Sequence, residues 1–123
     1  MFIYDLISKK DYILMASNYR IGYYYERKVK NILEKEDWDV WRSPASHSPI
    51  DIIAIKPQKG YVKIKLIQVK RTSREDIKAE YFKYDIDNLK EFAKKYKDCE
   101  NIEIELWIFK KQDRNPYIMK ISS

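Results

Sequence analysis

Ile50-Asp51-Ile52-Ile53-Ala54-Ile55-Lys56-Pro57-Gln58-Lys59-Gly60-Tyr61-Val62-Lys63-Ile64-Lys65-Leu66-Ile67-Gln68-Val69-Lys70 is the stretch whose reading decides the fold. Ile50 to Lys56 is a near-continuous β-branched run, as in a strand covered on both faces. Pro57 to Gly60 is a turn, so a hairpin follows, with Tyr61 to Arg71 as its second strand. Side chains on a strand alternate between faces, so Gln68 and Lys70 point the same way. Their facemates Ile64 and Leu66 are apolar, and the polar pair emerges at the strand's end. In a hairpin, Asp51 then lies opposite residues close to Gln68 and Lys70. An acid, an amide oxygen and a lysine come to share one place. Phosphodiester hydrolysis uses such a set: oxygen ligands hold Mg²⁺, and a lysine orients or activates the attacking water.

The flanking sequence completes an α/β order. Arg20 to Glu36 has helical spacing, with Tyr25, Val29, Ile32 and Leu33 on one stripe. Glu26 precedes Val29 by three and Leu33 by seven, so it borders that stripe. Two readings of Glu26 stand: a carboxylate that reaches over the sheet toward a metal, or a helix-flank acid beside Arg27 or Lys30. Trp38 to Trp41 alternates like a strand, and Ser43 to Pro49 is a serine- and proline-bearing loop. Asp85 to Tyr96 is an amphipathic helix with Ile86, Leu89, Phe92, Ala93 and Tyr96 on one face. Ile102 to Phe109 is a strand, paired across the Asp113–Pro116 turn with Tyr117 to Ile121. The order α-β-β-β-α-β-β predicts a mixed central sheet with a helix packed on each side. The expected organisation is one domain over 1–123, with residues 1–17 a short helix or arm and 20–123 the core.

Composition excludes several classes. The chain has 123 residues, one cysteine and one histidine, so neither a disulfide framework nor an ordinary zinc site can be built. Cys99 reads as a structural thiol in a reducing, intracellular, cytoplasmic setting. Two glycines, Gly22 and Gly60, cannot make a phosphate-binding loop, so no nucleotide cofactor is expected. The apolar runs are too short to span a membrane, and residues 1–17 lack a signal-peptide pattern. The net charge of +6 suits either a polyanionic partner or a lysine-rich solvated surface. Abundant Ile, Lys and Glu with little Gln is a thermophile's composition.

The residues Gly22-Tyr23-Tyr24-Tyr25-Glu26-Arg27, Leu33, Val40-Trp41-Arg42-Ser43-Pro44-Ala45-Ser46, Pro49-Ile50-Asp51-Ile52-Ile53-Ala54-Ile55 and Ile67-Gln68-Val69-Lys70 together resemble the archaeal Holliday junction resolvase family. The resemblance covers roughly residues 20–72. It implies a restriction-endonuclease-like fold and a metal-dependent endonuclease that resolves four-way DNA junctions by paired nicks. By position, Glu26, Asp51 and Lys70 match the family's catalytic glutamate, aspartate and lysine. Gln68 replaces the usual glutamate, as in nucleases resembling the methylation-dependent restriction enzymes. An isoleucine separates Pro49 from Asp51. The implied metal set is Asp51, Gln68 and Glu26, with Mg²⁺ the expected ion and Mn²⁺ the alternative. The implied partners are branched DNA and a second copy of the chain, since one small chain carries one site and a junction offers two strands. Other nuclease substrates, a defence role, or a DNA-binding protein that lost catalysis through Gln68 are the alternatives.

Ser43, Ser46 and Ser48 lie in the loop that the resemblance brings near DNA. His47, between two of them, is either a phosphate or proton-transfer group or a solvated loop histidine. Arg42, Arg71 and Arg74 flank the expected site and suit bidentate phosphate contacts. Tyr25 reads as packing, and Tyr23 and Tyr24 as packing or base-stacking groups. Trp38, Trp41 and Trp107 are expected in the core or at a subunit interface.

Overall fold

The computed structural model describes residues 9–43, 48–111 and 113–122. Helix α1 spans Lys9–Lys35, followed by strands β1 (Asp39–Arg42), β2 (Ile52–Gln58) and β3 (Tyr61–Thr72). Helix α2 (Lys83–Ala93) lies between short 3-10 turns at Ala79–Phe82 and Lys94–Tyr96, and β4 (Ile102–Lys110) and β5 (Tyr117–Ile121) close the chain. The sheet order is β1-β2-β3-β4-β5, with only β3 and β4 parallel. The expected α/β architecture with a mixed sheet is what forms.

The hairpin register follows from its turn. Gln58 pairs with Tyr61 across Lys59–Gly60, where Gly60 takes a φ of +87° that side chains other than glycine's resist. The ladder runs two residues further than expected, through Pro57 and Gln58. Proline is tolerated there because β1 ends at the partner of Ile55, so nothing on that side needs the missing N–H.

Each face of the sheet has its own core. On one, Tyr25, Val29 and Leu33 of α1 pack on Val40, Ile52, Ala54, Ile67, Trp107 and Phe109. On the other, Leu89 and Ala93 of α2 join Ile104, Leu106 and Ile108, with Ile86, Phe92 and Tyr96 beside them. Burying a side chain such as Leu33 stabilises by about 1.5–3 kcal/mol, so the two stripes fix which way each strand faces. Ile67 and Val69 therefore belong to the α1 face. Leu66 belongs to the α2 face, and by alternation so do Gln68 and Lys70.

Helix α1 begins at Lys9, well before the Arg20 that periodicity marks. Its end is set by Asp37 at φ +70°, with Trp38 N–H donating to Leu33 C=O (3.1 Å) and Asp37 N–H to Glu34 C=O (3.1 Å). That is a left-handed helix stop made by an aspartate where glycine is commoner. Trp38 and Trp107 are buried as expected, but Trp41 is 53% exposed, because it sits on edge strand β1 and faces away from α1. Cys99 is exposed, so it is no packed structural thiol. No helix among the described residues is long and apolar enough to cross a membrane.

Candidate active site

The strand pair β2–β3 positions the site by coming apart. Pairing is regular up to Ile52 opposite Ile67, and Asp51 N–H still donates to Ile67 C=O at 2.8 Å. Beyond that point the ladder stops, and Val69 N–H would lack an acceptor. The Asp51 carboxylate supplies it: Val69 N–H donates to Oδ2 at 2.8 Å. The backbone carbonyl of Asp51 accepts from Ser43 N–H at 2.8 Å, which ties the end of β1 to the same point. Asp51 is thus held by main-chain bonds on both sides, at the place where β3 runs on alone.

Gln68 stands opposite Asp51 by this register, and its side-chain oxygen is fully buried without a hydrogen-bond partner among the described residues. A buried amide oxygen left unpaired costs about 1–3 kcal/mol. Lys70, on the same face, forms an ion pair of 3.3 Å with Asp85 in the first turn of α2. A cleft between the end of β3 and α2 is lined by Ser48, Pro49, Gln68, Lys70, Tyr84 and Asp85, among others.

Glu26 comes from the opposite side of the sheet. It lines a second hollow with Gly22, Val69, Lys70 and Arg71, so Lys70 borders both. Its Oε1 accepts from Arg42 Nε at 2.9 Å, while the Arg42 guanidinium lies 4.4 Å from the centre of the Tyr23 ring. The partner of Glu26 is therefore Arg42 of β1, neither Arg27 nor Lys30.

Burial pushes the Asp51 carboxyl above its ordinary range, and the negative charge of Glu26 adds to this. The Val69 N–H, Lys70 and Arg42 oppose the shift without cancelling it. A carboxylate disfavoured as an anion, beside an orphaned amide oxygen and a second acid, is an incomplete set of oxygen ligands. Hard divalent cations take such donors. Asp51 and Gln68 offer two such donors at the end of β3. Among the described residues, no three acidic, histidine or cysteine side chains converge on one point.

The structure brings Asp51, Gln68 and Lys70 to the end of β3 on the α2 side, and Glu26, Arg42 and Arg71 to the α1 side, with Lys70 bordering both hollows. Ser48 Oγ accepts from Ile50 N–H at 3.1 Å and lines the cleft, and Arg74 lies on the Tyr81 ring, 4.0 Å from its centre. Ser46 and His47 lie outside the described residues. Asp85 and Tyr84 escape a reading of sequence alone. Nothing in the spacing ties a helix begun thirteen residues after Lys70 back to it, and an acid in a first turn is ordinary.

A family model of the archaeal Holliday junction resolvases matches residues 17–121. No curated protein matches the chain. Among solved structures, the chain is similar to the Holliday junction resolvase of the hyperthermophilic archaeon Archaeoglobus fulgidus, with a TM-score of 0.51 and 19% identity. That likeness covers 81% of this chain and 70% of the other.

Proposed function

This chain belongs to the archaeal Holliday junction resolvase family, a family of nucleases, and from that premise we propose that it is a metal-dependent endonuclease that resolves four-way DNA junctions by paired nicks. The observation that carries the proposal is the end of β3, where the Asp51 carboxylate caps Val69 N–H opposite a buried Gln68 oxygen that has no partner among the described residues, and next to Lys70.

Asp51 and Gln68 hold the cation, with Glu26 as the further acid. Mg²⁺ is the expected ion, and Mn²⁺ the alternative. The bound ion supplies Lewis-acid stabilisation of the scissile phosphate. Lys70 contributes a positive charge at the mouth of both hollows, where it orients the attacking water or the phosphate oxygens. Arg42 and Arg71 stand where a phosphate backbone would pass, and their planar forks suit its oxygens. Ser43, Ser46, His47, Ser48 and Arg74 complete the proposed DNA-facing rim. The replacement of glutamate by Gln68 lowers the charge of the metal set but retains an oxygen donor.

One chain carries one such centre, whereas resolution cuts two strands related by a two-fold axis. A homodimer supplies both centres. The setting that fits is intracellular, and the whole of 1–123 serves as one nuclease domain.

Gel-shift titrations of an immobile four-way junction and a matched duplex across a salt series, run beside sedimentation, test this reading. Binding should weaken steeply with salt for both DNAs. A dimer should prefer the junction at moderate salt, where nonspecific contacts are suppressed. Equal affinity for the two at every salt concentration would remove the junction from the proposal. A monomer that remains fully active would remove the paired nicks.

A further inference from the structure

Lys70 stands among three carboxylates. Asp85 lies 3.3 Å from its ammonium, Glu26 shares a hollow with it, and Asp51, opposite Gln68 two residues before it, feels its charge. The choice matters because Asp51 is held by the strand end, and an ammonium seated on it would occupy the position a cation needs. The lysine side chain is flexible enough to turn toward any of them. It is 41% exposed and turns about four bonds, so only its partners decide where it rests.

Asp85 is built to win that choice. It sits in the first turn of α2, where the helix N-terminus favours a carboxylate, and its side chain is only 18% exposed. Helix α2 is anchored by Leu89 and Ala93 in the core, so Asp85 cannot drift from the strand end. It lines the same cleft as Gln68 and Lys70. The residue two before Lys70 is a neutral amide, so its own strand offers no carboxylate on that face. The counter-charge comes instead from α2.

Resting on the metal-centre reading above, we propose that Asp85 is a positioning residue: it draws the Lys70 ammonium to the α2 wall and leaves the Asp51 carboxylate open to a divalent cation. Asp85 does not ligate the ion. It acts on the centre through Lys70 alone.

This role has a signature that a general electrostatic or packing role lacks. Removal of the Asp85 charge lets Lys70 fall onto Asp51 and compete with the cation. In a chain without the Lys70 ammonium, the same removal should change nothing. Binding of Mn²⁺ to the DNA-free protein, followed by calorimetry, reads this directly, with Mn²⁺-dependent junction cleavage as a second readout.

Asp85→Asn should weaken Mn²⁺ binding by roughly tenfold, the lower end of what loss of an outer partner costs a metal site. Lys70→Met should bind Mn²⁺ at least as well as the unaltered protein. The double variant Lys70→Met/Asp85→Asn should match Lys70→Met, a non-additivity that only a route through Lys70 produces. Asp85→Glu should recover most of the affinity. In cleavage, Asp85→Asn should be rescued by raised Mn²⁺, whereas Lys70→Met should not.

Unchanged Mn²⁺ affinity in Asp85→Asn would overturn the inference. So would a loss that persists in the double variant, since the carboxylate would then act by its field alone. Failure of the unaltered protein to bind Mn²⁺ is a different result: it would overturn the metal-centre reading on which the inference rests.

Discussion

Strand β3 carries two polar clusters, on opposite faces and toward opposite ends, and they differ in whether they are complete. Lys65 on the α1 face donates to Glu105 at 2.9 Å and lies 3.3 Å from Glu103, while Trp107 Nε1 donates to the other oxygen of Glu105 at 2.9 Å. Every member has a partner, although Glu105 is almost wholly buried. At the other end, Gln68 keeps an oxygen without a partner among the described residues, and Asp51 is pushed toward its neutral form. Both clusters set a lysine of the same strand beside acids from other parts of the chain. The difference teaches that polarity near a core is no mark of function by itself; the mark is polarity that the chain's own groups leave unsatisfied.

Their pH behaviour separates in the same way. Burial works against the Lys65 ammonium, but Glu105 and Glu103 outweigh it and hold its pKa above the ordinary 10.5. Burial likewise works against Glu103, and Lys65 with Lys120 outweighs it, so its pKa lies below 4.5. A raised lysine stabilises the fold until pH passes its folded pKa, and a lowered carboxyl does so until pH falls through its own. The Lys65 cluster therefore contributes stability over the whole interval between 4.5 and 10.5. Asp51 has the opposite sign: its stability is full below 3.8 and is lost as pH rises through the folded value.

The largest expected effect on stability lies at the complete cluster. Lys65→Met strands the Glu105 charge among apolar neighbours and should destabilise the protein by about 3 kcal/mol, the scale of breaking a buried pair from one side. Chemical denaturation measures it, and the double variant Lys65→Met/Glu105→Leu should recover much of the loss. A single variant within about 0.5 kcal/mol of the parent, the range of ordinary surface changes, would show the cluster to be dispensable.

The second effect is smaller and sits at the site. Gln68→Glu restores a carboxylate opposite Asp51, and the Mg²⁺ concentration for half-maximal cleavage should fall severalfold. An unmoved metal titration would show that Gln68 does not face the ion. The smallest effect concerns stability without metal. In EDTA at neutral pH, Asp51→Asn should be more stable than the parent, because it removes a carboxylate that the fold disfavours as an anion. The gain should vanish below pH 3.8, where both forms are neutral. Added Mg²⁺ should raise the melting temperature of the parent only. A variant no more stable than the parent at neutral pH would contradict the burial account of Asp51.

Much of this contrast was legible in the residues. The β2–β3 hairpin and the shared face of Gln68 and Lys70 follow from alternation and one glycine turn, whereas the register that sets Gln68 opposite Asp51 depends on the turn being only Lys59–Gly60. Helix α2 and its apolar stripe follow from period alone. Other features depend on the assembled sheet. The cap of Asp51 on Val69 N–H exists because β2 leaves β3 at that residue, which no spacing encodes. The pairing of Glu26 with Arg42 joins α1 to β1 over 16 positions, and the pairing of Lys70 with Asp85 joins β3 to α2. The exposure of Trp41 follows from β1 being an edge, a property of strand order and not of the residues around it.

Cleavage of an immobile four-way junction by the parent and by Asp51→Asn, each with Mg²⁺ and with EDTA, tests the central claim most directly. The parent should nick the junction only when the metal is present. Asp51→Asn should lose at least about a thousandfold in rate, the scale of losing preorganised charge at a reacting phosphate. It should still bind the junction in a gel shift, since removing a carboxylate does not weaken attraction to a polyanion. An Asp51→Asn variant that cuts at the parent's rate, or a parent that cuts equally well in EDTA, would contradict the account.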